Sequence, residues 1–365
     1  MATKLMLVSQ SADAQLRADV AAGRRPCPEY LRLEADHGVE LLDWSRLPKP
    51  VHQRTAASSL LHVVAAARKL DRFDVVFSDG EHLGVPLSVL IRIRWPSKAH
   101  LVLGHHITTP TKRRVFKLLG AERGMSRVLM HSRRQVEVAV RELGLPRSRL
   151  AFVPYFADSA FWSPRPQMEE ALVVTAGREH RDYVTLAAAC SSMPERVVVA
   201  AGSFHSPRAP WAAPSSWPRN FDVLQTLDRT SLRELYARAM VVVVPVLPTD
   251  FQAGVTTLLE AMAMGKPVVV TATEGQRDIV DNGDTGILVP PGDPGALRNA
   301  VRRLLDDAGE RARLGRNARR AVETRFSLDI YAATLAAHLD ELAEASTSRR
   351  PGGDVPEGHA TRVST

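Results

Sequence analysis

The chain is poor in cysteine, and this argues against a disulfide framework and against a cysteine-based metal centre. Its 365 residues include only two cysteines, Cys27 and Cys190, which lie far apart in the sequence. Neither a set of disulfides nor a metal cluster can be assembled from such a pair. We therefore expect no resident metal, no cofactor and a reducing, cytoplasmic compartment.

Long apolar runs and aromatic residues are also scarce. Apolar runs, such as that at 241–246, fall far short of the roughly 20 residues that cross a bilayer. The first ten residues have no apolar signal core and predict a strand instead. The net charge is +8, but aromatic residues make up only 5% of the chain and do not alternate with basic ones, so nucleic-acid binding is not expected.

What the chain does contain is typical of a globular protein with two domains. Hydrophobic residues make up 45% of the sequence and charged residues 24%, over a length that suits two cores. Short apolar runs alternate with helical patterns in both halves. This alternation predicts an α/β fold with two doubly wound, Rossmann-like domains, whose facing strand ends form a cleft for a ligand.

The most informative stretch is 241–270, which predicts a strand, a loop, a helix, a tight turn and a second strand. Its helix begins near Gly254 and ends near Gly265. Small or hydroxyl-bearing residues line the start of this helix, namely Gly254, Val255, Thr256 and Thr257. The N-terminus of a helix favours an anion, so a phosphate can approach closely here. Glu260 follows on the same helix, and its carboxylate can accept two hydrogen bonds from neighbouring sugar hydroxyls.

Residues 252–270 resemble the signature of the retaining glycosyltransferases of family four, which have the GT-B fold. The signature consists of two glutamates separated by seven residues, followed by Ala-Met-Ala, a glycine and Pro-Val-Val. The resemblance implies that Glu260 binds the ribose of a donor nucleotide. It also places Gln252 where members carry the glutamate that contacts the transferred sugar, so this chain keeps a hydrogen-bonding side chain there but loses a charge.

The same resemblance assigns further residues to the donor and to catalysis. Arg178 fits the family arginine that holds the donor diphosphate, and Arg181 is the cation nearest to the position of the family lysine, which is missing. A family histidine near the acceptor cleft corresponds to His105 or His106, and we favour His106 without excluding the other. No nucleophilic side chain is evident, which agrees with front-face attack by the acceptor, as the resemblance implies.

Other polar residues are candidates from their positions alone. Glu81 and His82 follow a predicted buried strand, where ligands bind in open α/β sheets. Arg24 and Arg25 occupy a predicted loop that is most simply a solvated one. A basic amphipathic segment also suits contact with an anionic membrane surface. Its basic residues are Lys112, Arg113, Arg114 and Lys117.

These observations lead to a prediction for the whole chain. We expect a GT-B protein with an acceptor-side domain at 1–162, a nucleotide-sugar-binding domain at 163–325, a helix at 326–344 that returns to the first domain, and a disordered tail at 345–365. It would transfer a sugar with retention, without a metal, to a sugar, lipid-linked or small-molecule acceptor. The alternatives are a non-catalytic nucleotide-sugar or carbohydrate-binding protein and a nucleotide-sugar epimerase or hydrolase. The expected location is cytoplasmic, with peripheral contact at the inner face of the membrane.

Overall fold

The computed structural model describes residues 2–48, 51, 53–107, 110–202, 211–225, 227–249 and 251–347. It contains two parallel six-stranded sheets, one in each half of the chain. The first sheet consists of β1 (Lys4–Leu7), β2 (Val39–Leu42), β3 (Val75–Ser78), β4 (Ala99–Leu103), β5 (Arg127–Met130) and β6 (Leu150–Phe152). The second consists of β7 (Glu170–Ala176), β8 (Arg196–Ala200), β9 (Phe221–Leu224), β10 (Ala239–Val244), β11 (Val268–Thr271) and β12 (Ile287–Val289).

The strand orders are those of doubly wound sheets. The first sheet has the order β2-β1-β3-β4-β5-β6, and the second has the order β12-β11-β10-β7-β8-β9. The strand order reverses beside β1 in the first sheet and beside β7 in the second, and ligands of open parallel sheets bind at such reversals. The strands are rich in valine and leucine because helices cover both of their faces. The predicted GT-B class of two Rossmann-like domains is confirmed.

Helices pack on both faces of the first sheet. They are α1 (Ala14–Ala21), α2 (Glu29–His37), α3 (Ala56–Ala67), α4 (Glu81–Arg94), α5 (Pro110–Leu119) and α6 (Arg133–Val138). A single π-helical turn at Ala139–Leu143 extends α6. On one face, α1 and α2 bury leucine side chains against β1, β3 and β4. On the other face, Val63 of α3 and Leu83 and Leu87 of α4 pack against β1, β2 and β3.

Helices also cover both faces of the second sheet. They are α7 (Tyr183–Cys190), α8 (Arg229–Arg238), α9 (Val255–Ala263), α10 (Glu274–Arg277), α11 (Pro294–Asp306) and α12 (Ala308–Arg325). The helices α8, α9 and α12 share one core with the sheet, and α7 and α11 share the core of the opposite face. The helix α9 is buried along nearly its whole length because α12 and the sheet enclose it, which explains its run of leucine, alanine and methionine.

The final helix, α13 (Leu328–Thr347), packs on the first domain. Tyr331, Leu335 and Leu339 are buried in the core that α2 and the first sheet form. The chain reaches this helix through Ala157, which exchanges backbone hydrogen bonds with Phe326 and Leu328 at 2.9 and 3.0 Å. The segment at Ala157 is thus attached directly to the start of the last helix.

The predicted boundaries differ from the structure in several places. The helix α13 continues to Thr347 because Leu342 and Ala343 remain packed on the first domain, so the predicted tail at 345 begins too early. The rest of that tail lies outside the described residues. The helix α4 begins at Glu81, so Glu81 and His82, predicted to follow a strand, lie in the first turn of a helix. The helices α1, α2 and α7 were not predicted, because their short, mixed patterns gave no clear period.

Candidate functional site

The start of α9 forms a turn in the second domain that leaves its backbone N–H groups without a side-chain cap. The preceding residue, Gly254, has a φ of 80°, and no side chain caps the helix. The first backbone N–H groups of the helix are therefore not occupied by a capping side chain. A β-carbon on Gly254 would lie 2.9 Å from Val244 and 3.0 Å from Arg181, so the turn requires glycine for its space and for its backbone conformation.

Arg181 is buried beneath this turn, with 2% of its surface exposed. Its Nε donates to the Ala176 carbonyl at 2.9 Å, Nη1 to the Glu179 carbonyl at 2.8 Å, and Nη2 to Thr257 Oγ1 at 3.0 Å. A guanidinium has five N–H donors, and these bonds use three of them. The cation thus joins the end of β7 to the first turn of α9 and keeps positive charge beside the start of this helix.

Arg178 has a different environment on the same loop. Its guanidinium stacks on the ring of Trp211 at 4.8 Å, a cation–π contact that fixes the plane of the fork. Its Nε is buried and has no hydrogen-bond partner among the residues that the structure describes. A buried donor without an acceptor is costly, and an anion or a carbonyl oxygen of a ligand would satisfy this N–H group.

Glu260 lies one helical turn further along α9 and is 7% exposed. Its Oε1 accepts from Arg229 Nη1 at 3.2 Å, and its Oε2 accepts from the Tyr236 hydroxyl at 3.3 Å. Burial raises the pKa of this carboxyl to about 7, and Arg229 and Tyr236 oppose the rise. Each carboxylate oxygen can accept a second hydrogen bond, so the group can still bind a pair of vicinal hydroxyls.

Gln252 stands at the entrance to the same helix and is 7% exposed. Its Nε2 donates to the Gly275 carbonyl at 2.9 Å, which ties the loop before α9 to α10. Its Oε1 is buried without a partner among the described residues. The amide therefore has one end fixed by the protein and one acceptor oxygen that a ligand hydroxyl would satisfy.

The two predicted histidines have different surroundings. The ring of His106 meets the edge of the Phe251 ring at 4.4 Å, and Phe251 is the neighbour of Gln252 in the second domain. His180 contacts Phe251 as well, at 5.2 Å, and has the unusual φ of 50° for a non-glycine residue. Phe251 thus links a histidine of each domain beside Gln252, and strained backbone of this kind is frequent at binding sites.

His105 is bonded within the first domain. Its Nε2 lies 2.9 Å from the Asp79 carbonyl, and its backbone N–H donates to the Glu81 carboxylate at 3.0 Å. Glu81, itself buried, therefore holds the loop that carries both histidines. The side chain of His105 has a structural partner at the end of β3, whereas His106 is the one that contacts the opposite domain.

An open cleft of about 610 Å³ separates parts of the two domains. It is lined by Arg134 of α6 in the first domain and by the loops after β10, β11 and β12 in the second domain. Nearby, the backbone N–H of Arg133 donates to Asp278 at 2.9 Å, which joins the domains at one end of this cleft. The cleft lies at the carboxyl ends of the strands, where parallel sheets bind ligands.

The basic segment predicted for a membrane contact lies on α5. Leu118 is 86% exposed, and Arg114 and Lys117 are exposed as well. Arg113 forms an ion pair with Glu142, and the side chain of Lys112 lies outside the described part of the structure. In the other basic loop, Arg24 pairs with Asp19 at 2.7 Å.

The described part of the chain shows neither a metal-binding cluster nor a membrane-spanning helix. Within those residues, no group of three or more His, Cys, Asp or Glu side chains is placed to hold a metal ion. None of the described helices is long and apolar enough to cross a membrane.

The structure brings most of the predicted donor residues together around the start of α9. Arg181 contacts Thr257, and Arg178 extends from the same loop as Arg181, while Glu260 lies further along the helix. Sequence reasoning missed four members of the site: Trp211, Arg229, Tyr236 and Phe251. A buried carboxylate generally needs a cation, so Glu260 gave a reason to look for Arg229, but no spacing in the sequence locates it.

Comparison with protein families agrees with this geometry. Residues 166–321 match the family model described as "Glycosyl transferases group 1". The D-inositol 3-phosphate glycosyltransferase of Xylanimonas cellulosilytica is 40% identical over 125 residues, which cover 34% of this chain and 28% of that protein. The capsular polysaccharide biosynthesis glycosyltransferase CapM of Staphylococcus aureus is 36% identical over 85 residues, 23% of this chain and 22% of CapM. The aligned region thus spans only about a quarter of the length of these curated relatives.

Solved structures share the fold over nearly the whole chain. Sucrose-phosphate synthase from Thermosynechococcus elongatus superposes with a TM-score of 0.69 at 19% identity, covering 94% of this chain and all of that one. HepE of Anabaena, solved in complex with UDP and glucose, gives a TM-score of 0.67 at 18% identity and covers 93% of this chain and all of HepE. At such low identity, the likeness establishes only that these proteins share the two-domain fold.

Proposed function

We propose that this chain, whose residues 166–321 match the glycosyl transferases group 1, transfers a sugar from a nucleotide-sugar donor to an acceptor in the interdomain cleft. The observation that carries the proposal is the combination, around one helix, of an uncapped N-terminus and a buried carboxylate. The first suits a diphosphate and the second suits the vicinal hydroxyls of a ribose. UDP is the first nucleotide to test, because HepE has been solved with UDP and glucose.

In the proposed reaction, the second domain stabilises the departing nucleotide diphosphate. Negative charge develops on the diphosphate as the bond to the sugar breaks. Arg178, Arg181 and the N-terminus of α9 supply positive potential at fixed positions, so little reorganisation is needed. We propose that these groups perform the task without a resident metal. Transfer should then persist in excess EDTA.

The sugar would lie between Gln252 and His106, on the two sides of Phe251. Gln252 accepts a hydrogen bond from a sugar hydroxyl, while His106 approaches the sugar from the first domain. Attack by the acceptor from the face of the departing diphosphate would give retention of the anomeric configuration. The anomer of the product, measured by NMR, tests this part of the proposal.

The experiment for the donor site is a thermal-shift screen with UDP, GDP and ADP against the wild type and Glu260→Gln. A ligand that binds only the folded chain raises its free energy of unfolding by RT ln(1 + L/Kd), where L is the ligand concentration, and so raises its melting temperature. We expect stabilisation by one nucleotide, strongly reduced in Glu260→Gln. Gln15→Met, on the exposed surface of α1, is the matched control and should behave as the wild type does.

Three results would replace this proposal. If no nucleotide stabilises the chain, the proposed donor site is refuted. Binding of a nucleotide sugar without turnover, against a broad panel of acceptors, would favour a non-catalytic binding protein. Release or isomerisation of the sugar without any acceptor would favour a hydrolase or epimerase.

We also propose that α5 brings the chain into peripheral contact with an anionic membrane, at its cytoplasmic face. Support comes from the exposed Leu118 beside Arg114 and Lys117, a combination that can insert an apolar side chain below lipid headgroups. Sedimentation with phosphatidylglycerol vesicles should exceed that with phosphatidylcholine vesicles and should decrease in Leu118→Glu. Equal sedimentation with both lipids would contradict the contact.

A further inference from the structure

Two glutamines of the second domain hold each other's backbone. Gln252 Nε2 donates to the Gly275 carbonyl at 2.9 Å, and Gln276 Nε2 donates to the Ala253 carbonyl at 2.5 Å. Each amide thus binds the residue next to the other glutamine in the sequence. We call this arrangement the glutamine pair. It ties the loop before α9 to α10 by two reciprocal hydrogen bonds.

The partners of the glutamine pair determine which way each amide is turned. A carbonyl oxygen accepts hydrogen bonds, so only the NH2 end of a glutamine can face it. The Oε1 atoms of both Gln252 and Gln276 are therefore directed away from these carbonyls. Both oxygens are buried and have no hydrogen-bond partner among the described residues. An unsatisfied buried acceptor is costly, so such an oxygen favours a ligand that donates a hydrogen bond. Gln252 is 7% exposed and Gln276 is 0% exposed, so the oxygen of Gln252 is the one that a ligand can meet.

The segments that carry the glutamine pair border the cleft. Phe251, next to Gln252, contacts His106 of the first domain, while Thr273 and Glu274, which precede Gly275, line the cleft itself. The two segments are in close contact, because a β-carbon on Gly275 would lie 2.8 Å from Cγ of Gln252. Glycine at this position allows the approach that both hydrogen bonds require.

We propose that Gln276, whose side chain is 0% exposed, is a positioning residue: it holds the loop before α9 so that Gln252 presents its uncharged acceptor oxygen to a hydroxyl group of the donor sugar. This inference rests on the proposed function. The ligand chemistry is that of a neutral hydroxyl donor: a hydroxyl satisfies the oxygen of Gln252 without bringing a charge into the site. The pair is a positioning and specificity device, and the departing diphosphate remains with Arg178 and the start of α9.

The pair also gives a physical reason for glutamine at position 252. A glutamate there would direct a carboxylate oxygen at the Gly275 carbonyl, and two acceptors repel each other. The reciprocal tie needs an NH2 group at 252, just as it needs one at 276. The departure from the signature glutamate thus matches a partner that only the folded chain reveals.

The test combines changes in the protein with changes in the ligand. Calorimetry measures binding of UDP, of UDP-glucose, and of UDP-glucose with fluorine in place of the 3-, 4- or 6-hydroxyl, to the wild type and to Gln276→Met. Fluorine keeps the size of the group but cannot donate a hydrogen bond. In the wild type, at least one fluorinated donor should bind about three- to tenfold more weakly than UDP-glucose, as expected for one neutral hydrogen bond.

In Gln276→Met, UDP should bind within about twofold of the wild type, because the diphosphate and ribose contacts remain. UDP-glucose should then bind no more tightly than the fluorinated donor, so the three- to tenfold difference between these two ligands should vanish. If the methionine variant does not fold, Gln276→Glu serves instead, since it keeps the shape and replaces the donor that faces Ala253. UDP binding reports in each case that the donor domain is intact.

The outcomes separate this inference from the proposed function. If UDP fails to bind the wild type, the donor site is refuted and the inference falls with it. If UDP binds and the fluorine penalty is the same in the wild type and in Gln276→Met, only the inference is refuted. The same holds if no fluorinated donor binds more weakly than UDP-glucose itself.

Discussion

Replacing Arg229 by methionine should make the binding of a nucleotide sugar depend strongly on pH. Arg229 lies 3.2 Å from Glu260, and the two side chains are only 17% and 10% exposed. Burial raises the pKa of Glu260 to about 7, and Arg229 opposes that rise. Methionine keeps much of the length of arginine but removes the charge, so the carboxyl should hold its proton more tightly.

The size of the effect follows from the ionised fraction of Glu260. A cation this close lowers the pKa of a carboxyl by about one to three, so its loss raises the pKa by at least about one. With a wild-type pKa of about 7, the carboxylate is half ionised at pH 7. A rise of one would leave about a tenth ionised and reduce the affinity about fivefold, and a rise of two would reduce it about fiftyfold.

The assay is calorimetric titration with UDP-glucose between pH 6 and 8.5. UDP-glucose is preferable to UDP, because both of its phosphates are esterified and keep their charges over this range. Since the carboxylate is the form that accepts ribose hydroxyls, wild-type affinity should rise with pH through about 7. In Arg229→Met the rise should move to higher pH, so the deficit is large at pH 7 and shrinks towards pH 8.5. Arg229→Lys, which keeps the charge, should shift the curve less.

Two results would refute this reasoning. A loss of affinity that is the same at every pH would show that Arg229 contacts the ligand itself and does not act through Glu260. Unchanged affinity in Arg229→Met at pH 7 would show that ionised Glu260 is not needed for binding.

Two further predictions concern the turn before α9 and the buried histidines. Gly254→Ala should destabilise the fold by about 1–3 kcal/mol and weaken nucleotide binding more than tenfold, because its β-carbon has no space. Gly283 has the same φ of 80° but open space around it, so Gly283→Ala is the control. It should lower the midpoint of urea denaturation without weakening UDP binding in a titration. Burial lowers the pKa of His100 to about 4 and that of His131 to about 3, so both stay neutral in the folded chain while unfolded histidines take up protons below about 6.5. Stability should therefore decrease as the pH falls from 6.5 to 4, and a urea midpoint that is constant over this range would contradict the assignment.

Much of the fold could be predicted because its strands are short, continuous apolar runs. The run of valines at 241–244 lies in β10, in the middle of the second sheet, as a strand buried on both faces should. The start of α9 was predicted at Gly254 because a glycine and small residues precede a clear helical period. By contrast, the end of α13 was predicted at 344, three residues too early, because packing on the first domain determines it.

The donor site could be predicted only in part, since its members come from separate segments. Glu260 and Gln252 lie in one stretch of sequence, whereas Arg229 and Gln276 are supplied by neighbouring elements after folding. Gln276 follows Gly275 in an ordinary polar turn, and nothing in its sequence context indicates a buried amide. The distinction between His105 and His106 also depended on the fold, because one is bonded at the end of β3 and the other contacts Phe251.

The most direct test of the account is a crystal structure of the chain with UDP bound. We predict that the diphosphate lies at the start of α9 within hydrogen-bonding distance of Arg178, with both ribose hydroxyls on Glu260. A nucleotide bound to the first sheet, or one whose ribose does not contact Glu260, would contradict the central claim.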